Sequence, residues 1–226
     1  MEQEALGRQA VMTIRDMWDR NINPEPFAAS WPQFYPLLKQ VVLMHYRASA
    51  ASASKFYQAL SYADGQRVTR VQAALPNTDK LDRVSDSVAN GAFYHQLNKM
   101  KREPGDASLI ARNSVSGAGA RFALMGGRDT VIAMALNDPK SAGWERLTEQ
   151  NACSFCVMHA ARGPFSGGMS DFHPHDYCNC VACPMFRGQQ PANEALTSEW
   201  RQVTQGKTGP EARAAWEEYH GQNATS

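Results

Sequence analysis

The chain has 226 residues, is 43% hydrophobic and carries a formal net charge of only +1. That composition can build a core in one large or two small domains, and it offers no global basic field for nucleic acid or membrane. No apolar run reaches membrane-spanning length, and Glu2, Glu4, Arg8 and Arg15 interrupt any signal-peptide core, so the expectation is a protein made and kept in a reducing cytoplasm.

Taken in order, residues 2–20 read as a helix, with Leu6, Ala10, Ile14 and Met17 at helical spacing and Asn21–Pro24 ending the run. Ser30-Trp-Pro-Gln33 resembles a capping box and predicts a long helix to about Tyr62, its apolar stripe formed by Leu37, Val41, Met44 and Ala48. Asp64-Gly65 stops it. A second long helix is expected from Thr78 to Arg102, with His95 at the edge of its packed face beside Leu81, Val84, Val88 and Ala92. Glu103-Pro-Gly105 breaks the chain, and Asp106 caps the next helix, which carries Ala111, Val115, Ala118, Phe122 and Met125 on one side. Gly117 and Gly119 cost that helix about 1 kcal/mol each against Ala, and the usual return is the close approach of a neighbour. Gly126-Gly127 is expected to bend or break it before Asp129–Leu136. No strand precedes these glycines, so they are not a phosphate-binding fingerprint.

At Asn137-Asp-Pro139 the character changes. Trp144–Thr148 alternates like a strand, Phe155–Arg162 reads as a short helix, and Cys178–Phe186 reads as a strand returning to pair with 144–148. Two short helices follow, around Ala195–Val203 and Pro210–Tyr219, with a frayed tail. The fold class is therefore α+β, mostly α-helical. Its expected parts are a helical region 1–140, a small α+β module 141–190 and a C-terminal pair of short helices, 191–226.

All five cysteines lie in one stretch, which reads Cys153-Ser-Phe-Cys156, a Gly-rich passage, then His173-Pro-His175-Asp-Tyr-Cys178-Asn-Cys180, with Cys183 beyond. Two thiolates at Cys-x-x-Cys spacing grip one ion from a tight turn, and a second pair brought back by the fold closes a tetrahedron. The expected metal ligands are four of Cys153, Cys156, His175, Cys178 and Cys180, with His173 as a spare and Zn²⁺ as the ion, held structurally. A module of about 45 residues has too little core to stand alone, and a metal offsets that deficit. The competing readings are two disulfides, disfavoured by the odd cysteine count, and a redox Cys-x-x-Cys, which lacks a surrounding βαβ pattern. Cys183 reads as a packed bystander thiol.

Trp144, Cys153, Phe155, Cys156, Arg162, Gly163, Phe172, His175, Cys178, Cys180, Pro184 and Phe186 together resemble the minor head proteins of tailed phages related to the F protein of phage Mu, especially the actinobacterial-phage versions. The resemblance covers about 45 residues closely, and the helical front only in style. It implies a virion protein inside the head, made in the host cytoplasm and associated with portal and with major capsid or scaffold proteins. Contact with packaged DNA is a further implication. Relatives commonly show His-Pro-x-Cys; here the His-x-x-Cys spacing selects His175 and the His-Pro pair selects His173, and Cys178 and Cys180 compete for the fourth position.

Proteins with this motif are often named capsid maturation proteases, which is the alternative function. A serine protease would draw on Ser166, His173 and Asp171, but no Gly-x-Ser-x-Gly elbow is present. A zinc protease lacks His-Glu-x-x-His, and a zinc deaminase lacks its His-x-Glu. A zinc-knuckle nucleic-acid binder lacks a basic stripe, since only Arg162 and Arg187 flank the cysteines.

Overall fold

The computed structural model describes residues 2–65, 72–149, 152–166 and 172–223. It is mostly helical with one small sheet: α1 (Glu2–Asn21), α2 (Phe27–Ala63), α3 (Thr78–Tyr94) with a π-helical turn at His95–Lys99, α4 (Pro104–Asn137), β1 (Ser141–Leu147), α5 (Ser154–Ala161), β2 (Val181–Phe186), α6 (Glu194–Val203) and α7 (Gly209–Asn223). No helix among the described residues is long and apolar enough to cross a membrane. Two compact units emerge, both discontinuous in sequence. The first is Met1–Phe56, Gln72–Thr130 and His175–Asn179; the second is Tyr57–Val71, Val131–Pro174 and Cys180–Ser226.

The first unit is built on aromatic packing. Trp18 of α1 meets Phe27, Trp31 and Phe34 of α2 at ring-centroid distances of 5.6–6.2 Å, and Phe27 stacks on Phe93 of α3 at 4.1 Å. Rings at these separations add to the burial of large apolar surface. The buried polar ends are paired: the Trp18 indole N–H donates to Ser108 Oγ at 3.1 Å, and that of Trp31 to Asp86 at 2.9 Å. The N-cap of α3 is Asn77, whose side chain accepts from Lys80 N–H at 2.9 Å.

Five details differ from the expectations. α4 starts at Pro104, so Pro104 and Gly105 open the helix and Asp106 lies in its first turn rather than capping it. α2 starts at Phe27, so Pro32 and Pro36 lie inside it, and Ser30 is no cap, since its hydroxyl donates back to the Asn23 and Phe27 carbonyls. The core face of α2 is Phe34, Leu38, Val42, Tyr46 and Ala50, so of the Leu37–Val41–Met44–Ala48 stripe only Val41 packs against the core, half-buried, while Leu37, Met44 and Ala48 face outward. His95 is exposed in the π-helical turn; the buried line of α3 is Leu81, Ser85, Ala89 and Phe93. α4 runs unbroken through Gly126-Gly127. There the glycines admit α2, because a Cβ on Gly126 would lie 2.1 Å from the Tyr46 carbonyl oxygen. Gly119 does the same for α1, where a Cβ would meet Ile14 Cδ1 at 2.6 Å.

In the second unit, β1 and β2 pair antiparallel, with Trp144 opposite Pro184 and Arg146 opposite Ala182. The outer edge of β1 is covered by Phe165, which exchanges both backbone hydrogen bonds with Trp144 at 3.0 and 2.8 Å. Gly143, at φ +125°, permits this, since a Cβ there would sit 2.2 Å from the Phe165 carbonyl oxygen. α5, α6 and α7 close around Trp216, which is fully buried with Met158 and Ala161, and Phe155, Leu196 and Trp200 pack at its margin.

Candidate metal centre

The first pair of thiols is placed by a helix start. Cys153 is the extended N-cap residue of α5, and Cys156 stands at its third helical position. Unpaired backbone N–H groups at a helix N-terminus favour negative charge and draw thiols toward thiolate. Cys153 is exposed and Cys156 is buried.

The returning arm is placed by a tight turn. The Cys178 N–H bonds to the His175 carbonyl at 3.2 Å, and Tyr177 adopts φ +61° to make this possible. A non-glycine residue in the left-handed region holds it only where its surroundings over-determine it. Here the Tyr177 hydroxyl donates to the Asn113 carbonyl, Arg15 reaches that hydroxyl at 3.3 Å, and the ring lies flush on Gly117. A Cβ on Gly117 would be 2.7 Å from Tyr177 Cε2, so the close approach foreseen at this glycine is made by the turn rather than by a helix. Arg121 binds Asp176 at 3.2 Å, and Arg128, buried on α4, donates to the Cys178 carbonyl at 2.6 Å.

Two donor sets result. Ligand atoms of Cys153, Cys156 and His175 lie within 4.8 Å of one another, and so do those of Cys156, Cys178 and Cys180. Cys156 belongs to both. His175 Nδ1–H donates to the Asp176 carbonyl at 2.7 Å, which leaves Nε2 as the lone-pair nitrogen, the usual arrangement of a metal-binding imidazole. This cluster can bind a metal ion, and its soft thiolate-rich donor set suits zinc. His173 falls in neither set; it is exposed at φ +47°, its ring 6.2 Å from that of His159. Cys183 is also outside both sets, and burial, then the nearby Glu145 carboxylate, push its thiol up to about 11.

Beneath the thiols lies a buried cation. Arg146 of β1 is 1% exposed; its Nη1 is 3.7 Å from Cys156 Sγ, its Nη2 donates to the His173 carbonyl at 3.4 Å, and its guanidinium lies 3.9 Å over the Phe172 ring. No carboxylate pairs with it among the described residues. A buried guanidinium without an anion is costly, and among the described residues the group at hand that can supply one is the Cys156 sulfur as thiolate. Its neighbour Glu145 points to the opposite face, as strand alternation requires, and accepts from the Ala192 and Asn193 N–H groups at 3.1 and 3.3 Å ahead of α6. His159, half-buried against Phe155, is held neutral: burial first, then Arg146 and Arg162, lower it to about 4.

The sequence-level alternatives land differently. Ser166 is exposed, and no hydrogen bond joins it to His173 among the described residues; Asp171 lies outside them. Sequence reasoning passed over Arg146 and Arg128. The readable signal at Arg146 was a charged pair, Glu145-Arg146, inside an aromatic-led strand, where alternation must bury at least one of the two.

No curated protein and no solved structure matches the chain. A family model described as VG15 protein matches residues 1–203, which run from α1 through the end of α6 and include every donor named above. The chain belongs to the VG15 protein family, a phage-associated family.

Proposed function

We propose that this is a minor head protein of a tailed phage, associated with the portal and acting in head morphogenesis, in which the cysteine cluster holds one structural zinc. The carrying observation is the convergence of both donor sets on Cys156, buried beside a guanidinium that no carboxylate neutralises among the described residues. Among the described residues, neutral thiols would leave Arg146 uncompensated, whereas metal-bound thiolates supply the charge it needs. Zinc contributes folding free energy at such a site, and a zinc that takes four of these five protein donors keeps no position for a substrate or water. That favours scaffolding over catalysis, with the capsid maturation protease as the alternative. Membership in a phage-associated family and the Cys-x-x-Cys…His-x-x-Cys-x-Cys pattern support the head assignment. The reading places the protein in the head interior of the virion, with portal and major capsid or scaffold proteins as partners.

Two measurements test this. Elemental analysis of protein purified under reducing conditions is expected to give about one zinc per chain, consistent with a closed structural site. Co-expression with the portal and major capsid proteins is expected to yield a complex with portal and an unshortened capsid protein. Shortening that depends on Ser166 would transfer the assignment to the protease.

A further inference from the structure

The outward face of α2 has a pattern that its packing uses only at Val41, which is half-buried against the core. Leu37, Val41, Met44, Ala48 and Ala51 recur at alternating steps of four and three residues, the spacing of a helix-pairing seam. The core takes a separate line, Phe34, Leu38, Val42, Tyr46 and Ala50. On the outer line Leu37 is 39% and Met44 55% exposed, Ala48 and Ala51 are exposed, and Val41 is half-buried. From Leu37 to Ala51 the seam runs about 21 Å along the helix axis at 1.5 Å per residue. Singly exposed apolar residues are ordinary, but a continuous row of them marks an interaction surface.

Charge says what covers it. α2 spans 37 residues without one Asp or Glu. Lys39 is engaged by Asp82 at 2.7 Å. Arg47 and Lys55, both exposed and adjoining the seam, take part in no hydrogen bond or ion pair among the described residues. The surface is thus an apolar strip with one cation, Arg47, at its side and another, Lys55, at its next four-residue step, complementary to an apolar strip that carries carboxylates beside it and at its end. Ala48 and Ala51 add no bulk, so a partner helix can approach closely there.

We propose that this face of α2 docks an acidic amphipathic helix of a partner protein, covering Leu37, Val41, Met44, Ala48 and Ala51 and setting carboxylates against Arg47 and Lys55. A second copy of this chain fits less well, because an in-register pairing of two such seams opposes Arg47 to Arg47 and Lys55 to Lys55. The inference is independent of the metal reading, since none of these residues is a donor.

The test uses the full chain and two labelled synthetic three-heptad helices with Leu at both seam positions, one flanked by Glu and one by Lys. Fluorescence anisotropy is expected to show micromolar binding of the Glu helix that weakens with salt, and binding of the Lys helix at least about tenfold weaker, as unlike and like charges require. Met44→Glu and the double variant Arg47→Glu/Lys55→Glu, whose helical circular dichroism should be unchanged because these side chains are exposed, are each expected to weaken the Glu helix at least about tenfold. Equal binding of the two helices, no binding of either, or no effect of Met44→Glu overturns the proposal. Concentration-dependent dimerisation of the chain that Met44→Glu abolishes also overturns it, and assigns the seam to a second copy.

Discussion

The aromatic core of α1–α3 and the cysteine-rich segment are ordered by different means. Around Trp18, long helices bring together Phe27, Trp31, Phe34 and Phe93, and nearly every buried polar end finds a neutral or exposed partner. Around Cys156 the elements are short: an eight-residue helix, a two-stranded sheet and a turn with two non-glycine residues at positive φ. The buried groups there include a guanidinium and three cysteines. The first region can rely on apolar area alone, since each large side chain buried contributes about 1.5–3 kcal/mol. The second needs a bond that survives a small core, and the thiols are placed to provide one.

The sharpest way to break this contrast is to remove the shared donor. Cys156→Ser is expected to abolish bound zinc and open residues 152–190 to limited proteolysis, a loss on the order of several kcal/mol given the large apparent binding energies of structural zinc. Peptides of α1–α3 should keep their protease resistance. Cys183→Ser is the control and should alter neither metal content nor cleavage. If Cys156→Ser leaves both unchanged, the segment is not held by metal.

The reverse experiment acts on the apolar side. Trp18→Ala removes a fully packed indole and its bond to Ser108, and is expected to cost about 3–5 kcal/mol of global stability in urea titration. Zinc per folded chain should stay the same. A fall in metal content among the folded molecules would show that the two regions are not separately maintained.

How much of this was legible follows the same divide. The donor cluster could be read because its signal is chemical: five cysteines in one stretch of an otherwise cysteine-free chain need a cause, whatever the backbone does. The helices were legible from periodicity and breakers. The packed face of α2 was not, because apolar residues line two faces of that helix and a period cannot say which faces inward. Phe34 and Tyr46, the bulkier choice, won the core over Leu37 and Met44. Gly126-Gly127 was misjudged for a related reason: local propensity argues for a break, but the close approach of Tyr46 makes glycine the residue that α4 requires there. Arg146 and Arg128 escaped notice because a lone arginine is ordinarily solvated, and only the fold shows which ones are enclosed.

A smaller perturbation sharpens the comparison by touching the turn alone. Gly117→Ala forces a methyl against the Tyr177 ring and Asp176, next to His175 and Cys178, while Gly119→Ala, two residues on, presses on Ile14 and Val42 of the apolar core. Each is expected to cost about 1–3 kcal/mol through overpacking. Only Gly117→Ala should also weaken zinc in a competition titration with a chromogenic chelator. Equal metal affinity in the two variants would mean that the strained turn does not position the donors.

The smallest expected effect is a dependence on pH. His159 is lowered from an ordinary value near 6.5 to about 4, first by burial and then by Arg146 and Arg162. Above about pH 6.5 it is neutral in both the folded and unfolded chain and contributes no pH dependence. Below that, the unfolded chain takes up a proton that the folded chain refuses, so stability falls as the pH drops toward 4. Loss of zinc from protonated thiols acts in the same direction, so the informative quantity is a difference. The urea midpoint of the native chain minus that of His159→Gln should be constant near neutrality and shrink progressively below about pH 6.5, because the glutamine cannot titrate. A difference that stays flat across that range would mean that His159 is not enclosed, and that Arg146 and Arg162 do not act on it.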